Sequence, residues 1–305
     1  MDRKLKQFLV VAETGNVSLA AEAMNVSQPT VSVNLRRLEE EHGVPLFSRS
    51  SRGVVLTEFG KVLFEHVKVM ARLNDHAAAE LRAMKNGSRP TLKVACGFTW
   101  WELYVRRSLK EFSALHPDVA VHVDISSSYD GLRDLLSGDI SIFVGTKVLH
   151  LNDPTTFRFQ SLITAEDGFF AREDHPLQGQ KIRQADLAHF PRIDVAPVVN
   201  RHFGIVEKSA PMTDHDHLSN APTQYSSNSM TSGISLLQDS DAYLIYPTAT
   251  DTYLSGHGIR LLQVTDQPQQ NIEIGIYTLA DKAMGPLQSA FAERVSDAFG
   301  VRSKV

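Results

Sequence analysis

The sequence predicts an all-α segment with a small β-hairpin at the N-terminal end, followed by a larger α/β region. Three patterns lead to this fold class. Apolar residues recur with helical spacing over residues 3–42, a seven-residue repeat runs through residues 58–85, and from Thr91 onward strands and helices alternate. A chain of 305 residues is long enough for two or three domains with separate cores.

The composition is that of an ordinary globular protein, with 42% hydrophobic and 22% charged residues. No apolar run approaches about 18 residues, and the N-terminus lacks the apolar core of a signal peptide, so the sequence predicts a cytoplasmic protein with no membrane contact. The net charge is −4, yet residues 1–90 carry 13 Lys and Arg against 10 Asp and Glu. The positive charge therefore belongs to the all-α segment.

Three helices are predicted before the hairpin. Residues 3–14 form an amphipathic helix, Ser18 caps a small-residue helix that ends near Met24, and Ser27 caps a third helix that ends at Gly43. A tight turn joins the second and third helices, which is the arrangement of a helix-turn-helix.

A basic hairpin and a long helix follow. Residues 44–57 form a wing whose tip is at 48–52, Thr57 caps a helix that continues to about Lys85, and 86–90 form a linker. The apolar repeat on the long helix has little nearby sequence to cover it. It favours pairing with a second copy of the chain, and the alternative is burial on its own domain. The repeat consists of Leu63, Met70, Ala77 and Met84, widened by Phe59, Val67 and Leu81.

The region after Thr91 is predicted to be a right-handed parallel α/β sheet, because strands and helices alternate along it. Strands are expected at 91–96, 119–125, 140–144, 168–171, 192–195, 222–226, 242–246, 259–264 and 272–278, and helices at 101–115, 129–137, 183–188, 230–238 and 286–299.

The outward face of the third helix is a candidate DNA-reading surface. At about 100° per residue, Val31, Leu35 and Leu38 face the core and the opposite face is centred near Val33. Gln side chains can bind adenine with two hydrogen bonds, and Arg side chains neutralise phosphate. The candidate residues are Ser27, Gln28, Pro29, Thr30, Ser32, Val33, Arg36 and Arg37 on the helix, Arg49 and Arg52 on the wing, and Thr57, which is either only a cap or also a phosphate ligand.

These segments resemble the winged helix-turn-helix of LysR-type transcriptional regulators. The resemblance implies a sequence-specific DNA-binding regulator that is controlled by a small-molecule effector and uses no cofactor or metal. It implies double-stranded operator DNA, the effector and further copies of the chain as partners, with RNA polymerase as another candidate. Self-association would give a dimer through the long helix and then a tetramer. The motifs are Phe8–Ala12, Ala20–Ala23, Val26–Ser32, Leu35–Glu39, Gly43–Arg49 and Leu56–Gly60, with a weaker match at His175–Leu177 and Ala185–Leu187.

Val33 departs from the family pattern. Many members carry a long polar or basic residue at this place, and Val33 lies at the middle of the outward face. We hypothesise that Val33 contacts a thymine methyl group, so that one operator position prefers T.

The resemblance also implies that the second part has a two-lobed α/β fold like that of periplasmic binding proteins, with the ligand in the cleft. Chain crossovers between the lobes are expected near 162–166 and 264–268. The expected domains are a winged helix-turn-helix at 1–58, a dimerisation helix and hinge at 59–90, and an effector-binding domain at 91–305, with lobe 1 at 91–162 and 267–305 and lobe 2 at 163–266.

Polar segments after the predicted strands supply candidate effector-binding residues, because hydroxyl groups and helix N-termini bind carboxylates. The adjacent tryptophans favour an aromatic or flat apolar effector, and the alternative is that one packs under the lobe while the other covers it. Ser141 stands where many family members have an acidic residue, so the pocket floor or the lobe contact is expected to differ. The candidates are Thr99, Trp100, Trp101, Ser127, Ser128, His202, Phe203 and Asn228.

Other functions have weaker support. An enzyme could use Asp214–His217 as a metal site or Cys96 as a nucleophile, but the former lies in a polar loop and the latter fits a core position better. A solute-binding protein without DNA function would share the two-lobed fold, but it would need an export signal and would not need residues 1–90. A two-lobed small-molecule binding protein with only architectural DNA binding is the remaining alternative. A single cysteine excludes a redox sensor that works through an intramolecular disulfide. We therefore expect no enzymatic activity.

Overall fold

The computed structural model describes residues 1–50, 53–85, 87, 89–149, 151–195, 223–267 and 271–301. The chain divides into two compact units. Among the described residues, no helix is both long and apolar enough to cross a membrane. The first unit comprises Met1–Ser88 and Leu136–Asp139, and the second comprises Arg89–Leu135 and Ile140–Val305.

The first unit has the predicted order of three helices, a hairpin and a long helix. The two hairpin strands are antiparallel and pair Phe47 with Leu56. The elements are α1 (Arg3–Thr14), α2 (Val17–Ala23), α3 (Gln28–His42), β1 (Phe47–Ser50), β2 (Gly53–Leu56) and α4 (Glu58–Lys85).

Local sequence signals determine where the short helices begin and end. Gly15 and Gly43 end α1 and α3 in the left-handed region, with φ of 62° and 69°, as predicted. The predicted cap of α2 was wrong, because Asn16 caps it and not Ser18. The Asn16 side chain accepts hydrogen bonds from the backbone N–H groups of Ser18 at 2.8 Å and Leu19 at 3.2 Å.

The core of the first unit lies between α1, α2, α3 and the N-terminal part of α4. Val67 of α4 is fully buried there with Leu63 beside it, whereas Phe59 and Met70 from the same apolar stripe are 56% and 49% exposed. Part of the stripe thus packs on its own domain and part is exposed, and pairing of the exposed part with a second copy stays a prediction. The buried core residues are Phe8, Val11, Ala20, Ala21, Val31, Leu35, Leu38, Leu46 and Val67.

The second unit is an α/β structure. The short α5 continues into α6 through a π-helical turn at Trp101–Val105. The elements are β3 (Thr91–Cys96), α5 (Phe98–Trp100), α6 (Arg106–Leu115), β4 (Ala120–Ile125), α7 (Ser128–Leu136), β5 (Ile142–Thr146), β6 (Phe157–Arg172), β7 (Lys181–Ile182), α8 (Gln184–Leu187), β8 (Arg192–Val195), β9 (Thr223–Ser227), α9 (Met230–Gln238), β10 (Tyr243–Pro247), α10 (Asp251–Ser255), β11 (Ile259–Leu261), β12 (Gln263–Val264), β13 (Asn271–Leu279) and α11 (Pro286–Ala298).

The main sheet is mixed, so the prediction of a wholly parallel sheet was wrong. Its strand order is β4-β3-β5-β13-β6-β10-β8-β9, with β11 also paired to β6. The β3–β4, β3–β5, β8–β10 and β8–β9 pairs are parallel, whereas β13 runs antiparallel to both β5 and β6 and β10 runs antiparallel to β6. Two parallel groups of strands are thus joined through antiparallel strands.

The long strand β6 connects two lobes. Its first part, 157–166, pairs with β13, and its last part, 167–171, pairs with β10. The crossover predicted near 162–166 is therefore the middle of one continuous strand, of which the sequence predicted only 168–171. The second predicted crossover lies partly outside the described residues. We call the part around β3–β5 and β13 lobe 1, and the part around β8–β11 lobe 2.

Candidate nucleic-acid interface and effector cleft

The N-terminus of α3 is built around Ser27. Its Oγ accepts a hydrogen bond from the Thr30 backbone N–H at 3.4 Å and lies 2.7 Å from Thr30 Oγ1. Ser27 therefore caps α3 as predicted, and the Thr30 hydroxyl is engaged at the cap. Gln28 and Pro29 directly follow the cap and are exposed.

The outward face of α3 is exposed where the helical spacing predicts it. Val33, at its centre, is 44% exposed, and Arg36 and Arg37 are exposed beside it. Neither guanidinium is paired with another described residue. Ser32 is half-buried. The face thus offers an apolar centre, flanked by cations that are free to meet phosphate.

Glu39 fixes the wing to α3, a role that sequence reasoning missed. Its carboxylate Oε1 accepts hydrogen bonds from the backbone N–H groups of Leu46 at 2.8 Å and Phe47 at 3.1 Å. Hydrogen bonds to a charged acceptor are stronger than neutral ones. Two hydrogen bonds therefore tie α3 to the first wing strand. The available signal was an acidic residue between buried Leu38 and the wing.

Two glycines bring the second wing strand close to the helices. The Val54 N–H donates to the Gly15 carbonyl at 3.0 Å, and a Cβ atom on Gly53, whose φ is +122°, would lie 2.6 Å from the same oxygen. Only glycine fits this approach.

The side chain of Arg49 and all of Arg52 lie outside the described residues, so their predicted DNA contacts stay predictions.

Thr57 caps α4, and its hydroxyl group is used twice. The hydroxyl accepts a hydrogen bond from the Gly60 N–H at 3.0 Å and donates its proton to the Pro45 carbonyl at 2.6 Å. A hydroxyl has one proton, so none is left to donate to a phosphate. The geometry favours the alternative in which Thr57 is only a cap.

In the second unit, the two lobes touch through side chains of α5. Thr99, 5% exposed, donates a hydrogen bond from Oγ1 to the hydroxyl of Tyr246 on β10 at 2.8 Å. The Phe98 ring meets the Tyr253 ring of α10 edge-on, with centroids 5.8 Å apart and planes at 70°. Thr99 thus lies at the contact between the lobes. Sequence reasoning did not predict its partner Tyr246, because 147 residues separate the two in the chain.

A narrow gap lies at this contact, and its walls leave no room for a water molecule. Glu102 is its only charged residue among those described, and the remainder of the wall is apolar, aromatic or hydroxylic. The lining residues are Phe98, Thr99, Glu102, Leu103, Met230, Tyr246, Thr250, Tyr253 and Leu254.

Burial keeps both tyrosines of the gap protonated. It raises the pKa of Tyr246 to about 12, against the smaller opposing effect of the hydrogen bond from Thr99. Burial also raises the pKa of Tyr253, and the negative charge of Glu102 raises it further. The gap therefore contains neutral phenols, with the negative charge of Asp167 acting on Tyr246 and that of Glu102 acting on Tyr253.

The tryptophans belong to the lobe rather than to its rim. Trp100 is 3% exposed in the core of lobe 1, and a Cβ atom on Gly97 would lie 3.0 Å from its ring. Trp101 is half-buried and packs against the same core. The interpretation of Trp100 as a rim residue was wrong, and the alternative, one ring under the lobe and the other over it, describes the arrangement.

The serines after β4 serve helix α7. Ser127 Oγ donates to Asp130 Oδ2 at 2.8 Å and accepts from the Asp130 N–H at 3.0 Å, which forms its N-terminal cap. Asp130 also pairs with Arg133 at 2.7 Å. Ser127, Ser128 and Asn228 are not among the residues that line the gap at Thr99. The other two candidates, His202 and Phe203, lie outside the described residues.

Cys96 and Ser141, which the sequence singled out for other reasons, are held in the core or hydrogen-bonded to the backbone. Cys96 is fully buried, and burial raises the pKa of its thiol to about 12, so it stays in the unreactive protonated form. Ser141 donates a hydrogen bond to the Lys93 carbonyl at 2.9 Å. Within the described part of the chain, no cluster of His, Cys, Asp and Glu could hold a metal ion. Asp214–His217 lies outside that part.

A winged helix-turn-helix followed by a two-lobed α/β unit defines a class of DNA-binding regulators with a ligand-binding domain. Comparison with protein-family models agrees. Residues 3–61 match the bacterial regulatory helix-turn-helix protein family, lysR type, and residues 85–300 match the LysR substrate binding domain. The chain belongs to the LysR family.

Similar proteins carry regulator names. The chain is 31% identical over 192 residues to the SDS degradation transcriptional activation protein of a Pseudomonas species, an alignment that covers 62% of each protein. It is 30% identical over 179 residues to the transcriptional regulator CysL of Bacillus subtilis, covering 58% of each. The chain thus matches about three-fifths of the length of these relatives.

Two solved structures share the fold over nearly the whole chain. Full-length CbnR complexed with its target DNA is 20% identical, with a TM-score of 0.58 and coverage of 98% of this chain and 100% of that one. HinK, a LysR family regulator from Pseudomonas aeruginosa, is 18% identical, with a TM-score of 0.53 and coverage of 99% of each.

Proposed function

We propose that this chain is a sequence-specific DNA-binding transcriptional regulator whose activity is controlled by a small molecule bound between the lobes of the second unit. The observation that carries the proposal is the exposed face of α3. Val33 lies at its centre with unpaired Arg36 and Arg37 beside it, on a helix capped by Ser27 and tied to the wing by Glu39. This is a rigid platform for reading a major groove.

The proposed DNA contacts divide by chemistry. Gln28 and Val33 read base edges, Ser32 contacts a base or a phosphate, and Arg36 and Arg37 neutralise the backbone, while Pro29 fits the groove beside them. Arg49 and Arg52 of the wing are proposed to contact the backbone or the minor groove. The similarity to CbnR, whose structure contains target DNA, supports the use of this fold for DNA.

The proposed assembly is a dimer through the exposed section of α4, extended to a tetramer. The side chains of Phe59, Met70 and Leu81 are 56%, 49% and 67% exposed. An exposed apolar stripe on a helix is typical of a surface that binds a partner. A second α4 would bury these side chains and place two copies of α3 on one duplex. RNA polymerase is a further proposed partner of the DNA-bound form.

Binding to the DNA upstream of the chain's own gene tests this proposal. The purified chain should sediment as a dimer or tetramer, bind a duplex fragment at low ionic strength and protect two half-sites about one helical turn, or a multiple of it, apart in a footprint. A monomer that binds this fragment no better than scrambled DNA would contradict the proposed function.

A further inference from the structure

The described lining of the gap between the lobes combines one negative charge with several aromatic rings. Glu102 is the only charged residue among its described lining residues, and Phe98, Tyr246 and Tyr253 contribute rings. From this chemistry we infer that the effector is a small organic cation, a protonated amine or a quaternary ammonium compound. The inference rests on the proposed function, because it names the class of ligand for that same site.

The charge of Glu102 is available to a ligand. Its side chain is 22% exposed, and its nearest cationic partner, Arg106, lies 3.9 Å away with a side chain that is 67% exposed. A pair with that distance and exposure does little to neutralise a carboxylate. On the side of the gap, the Glu102 charge faces the Tyr253 phenol and disfavours its ionisation. A ligand ammonium group would pair with Glu102, whereas a ligand carboxylate would be repelled by it.

The rings supply the second half of cation recognition. Phe98 of lobe 1 and Tyr253 of lobe 2 are in edge contact at 5.8 Å, and Tyr246 lies beside Thr99 in the same lining. Aromatic faces attract ammonium groups through the ring quadrupole, most strongly where water is excluded. The thioether of Met230 adds a polarizable surface for alkyl substituents.

The helix N-terminus that lines the gap is that of α9 at Met230, and Ser229 caps it by accepting a hydrogen bond from the Ser232 N–H at 3.4 Å. The serines predicted to bind a carboxylate lie instead at the N-terminus of α7, which does not line the gap. In α7 the first turn already contains Asp130, whose carboxylate takes part in the Ser127 cap and pairs with Arg133. A second anion at this helix end would meet that carboxylate. The expectation of a carboxylate-bearing effector, based on hydroxyl groups and helix ends, therefore finds no support at Ser127 and Ser128.

Ligand entry requires the lobes to change their contact. The gap is closed by the hydrogen bond from Thr99 to Tyr246 and by the Phe98–Tyr253 edge contact. A cation that inserts between the rings must separate these pairs. Its binding energy would then be linked to the relative position of the two lobes, which is how a ligand shifts a conformational equilibrium.

Matched ligands that differ only in charge test the inference. Choline and its neutral analogue 3,3-dimethylbutan-1-ol have the same shape, and 3,3-dimethylbutanoate supplies the opposite charge. Isothermal titration of the full-length chain at constant ionic strength measures the affinities. We expect choline, or a smaller or aromatic ammonium ion such as tetramethylammonium or phenethylammonium, to bind with an affinity about tenfold above that of its neutral analogue. Carboxylates should bind most weakly.

Single-residue variants test whether ammonium ligands bind in the gap or elsewhere on the chain. Glu102→Gln should reduce the affinity for ammonium ligands to that of the neutral analogues, and Tyr253→Leu should weaken it several-fold. Glu111→Gln, on the same helical segment but paired with Arg107 away from the gap, should have no effect. Circular dichroism and promoter-DNA binding measured on each variant show that the fold is intact.

The outcomes distinguish this inference from the proposed function. Equal affinity for charged and neutral analogues, a preference for carboxylates, or no binding of any ammonium compound at about 10 mM would overturn the inference while specific DNA binding persists. Loss of the ammonium preference in Glu111→Gln as well as in Glu102→Gln would also overturn it. Absence of specific DNA binding by the wild-type chain would instead overturn the proposed function.

Discussion

The two candidate sites of this protein are built in opposite ways. The DNA-reading face is displayed by a single helix, and its residues lie within ten positions of one another on α3. The gap between the lobes is assembled from α5, α9, β10 and α10, and its pair Thr99 and Tyr246 is 147 residues apart. The first site is therefore prearranged by local sequence and a rigid scaffold, whereas the second exists only while the lobes are in contact.

The scaffold under the DNA-reading face should give the largest effect. Leu38→Ala removes a side chain that is 3% exposed from the core beneath α3, and should lower the free energy of unfolding of the first unit by about 2–5 kcal/mol and abolish DNA binding. Leu19→Ala, the same change at a residue that is 54% exposed, should cost less than about 1 kcal/mol. Hydrogen exchange of the α1–α3 amides measures both. Equal protection in the two variants would contradict the assigned core.

The exposed arginines should change affinity without changing stability. Removing Arg36 and Arg37 together should lower the slope of log affinity against log salt by about 2, since each phosphate contact contributes about 0.9. Fluorescence anisotropy of a labelled promoter duplex over a salt series measures this slope. Arg107→Ala, whose side chain is 79% exposed on the second unit, is the control and should leave the slope unchanged. A double variant with the wild-type slope would remove these residues from the interface.

The contact between the lobes should give a smaller, measurable coupling. Thr99→Val and Tyr246→Phe each remove one side of the 2.8 Å hydrogen bond. Unfolding of the second unit in urea, followed by tryptophan fluorescence, should give a coupling energy of about 0.5–1.5 kcal/mol in the double-mutant cycle. Strictly additive effects would show that the hydrogen bond does not hold the lobes together.

The smallest expected effect is a pH dependence from His175. The Leu177 N–H donates to its Nδ1 at 3.1 Å, its Nε2 lies 3.2 Å from the Asp241 carbonyl, and burial lowers the pKa of the ring. Because the folded-state pKa is depressed, the neutral ring stabilises the fold above the ordinary pKa of about 6.5, and this contribution is lost as the pH falls below it. Melting temperatures between pH 7.5 and 5.5, roughly spanning that value, should fall less in His175→Gln than in the wild type.

A second histidine provides the control for that pH series. His189 is exposed in the same lobe, so His189→Gln should retain the wild-type pH dependence. If His175→Gln loses stability on acidification as steeply as the wild type, another group is responsible.

The same contrast explains what the sequence could predict. Helix caps and periodic apolar residues act within a few positions, so α1, α3 and the outward face of α3 follow from the sequence. The predicted cap of α2 was wrong because Asn16, two residues earlier, accepts hydrogen bonds from the N–H groups of Ser18 and Leu19, so the helix begins before Ser18. The antiparallel direction of β6 and β13 depends on partners more than 100 positions apart, which local patterns do not encode.

Burial also separated correct from incorrect site residues. Trp100 and Thr99 are neighbours in sequence, yet the chain direction at α5 places the indole ring in the lobe core and the hydroxyl at the lobe contact. Glu39 and Tyr246 were missed because their partners, the wing N–H groups and Thr99, become neighbours only in the folded chain.

Selection of binding sites from random duplex DNA tests the central claim, that the outward face of α3 reads sequence, most directly. The wild-type chain should enrich one motif with a T at the position that meets Val33, and Val33→Arg should enrich a motif altered at that position alone. No enriched motif from the wild type, or the same motif from both proteins, would contradict the account.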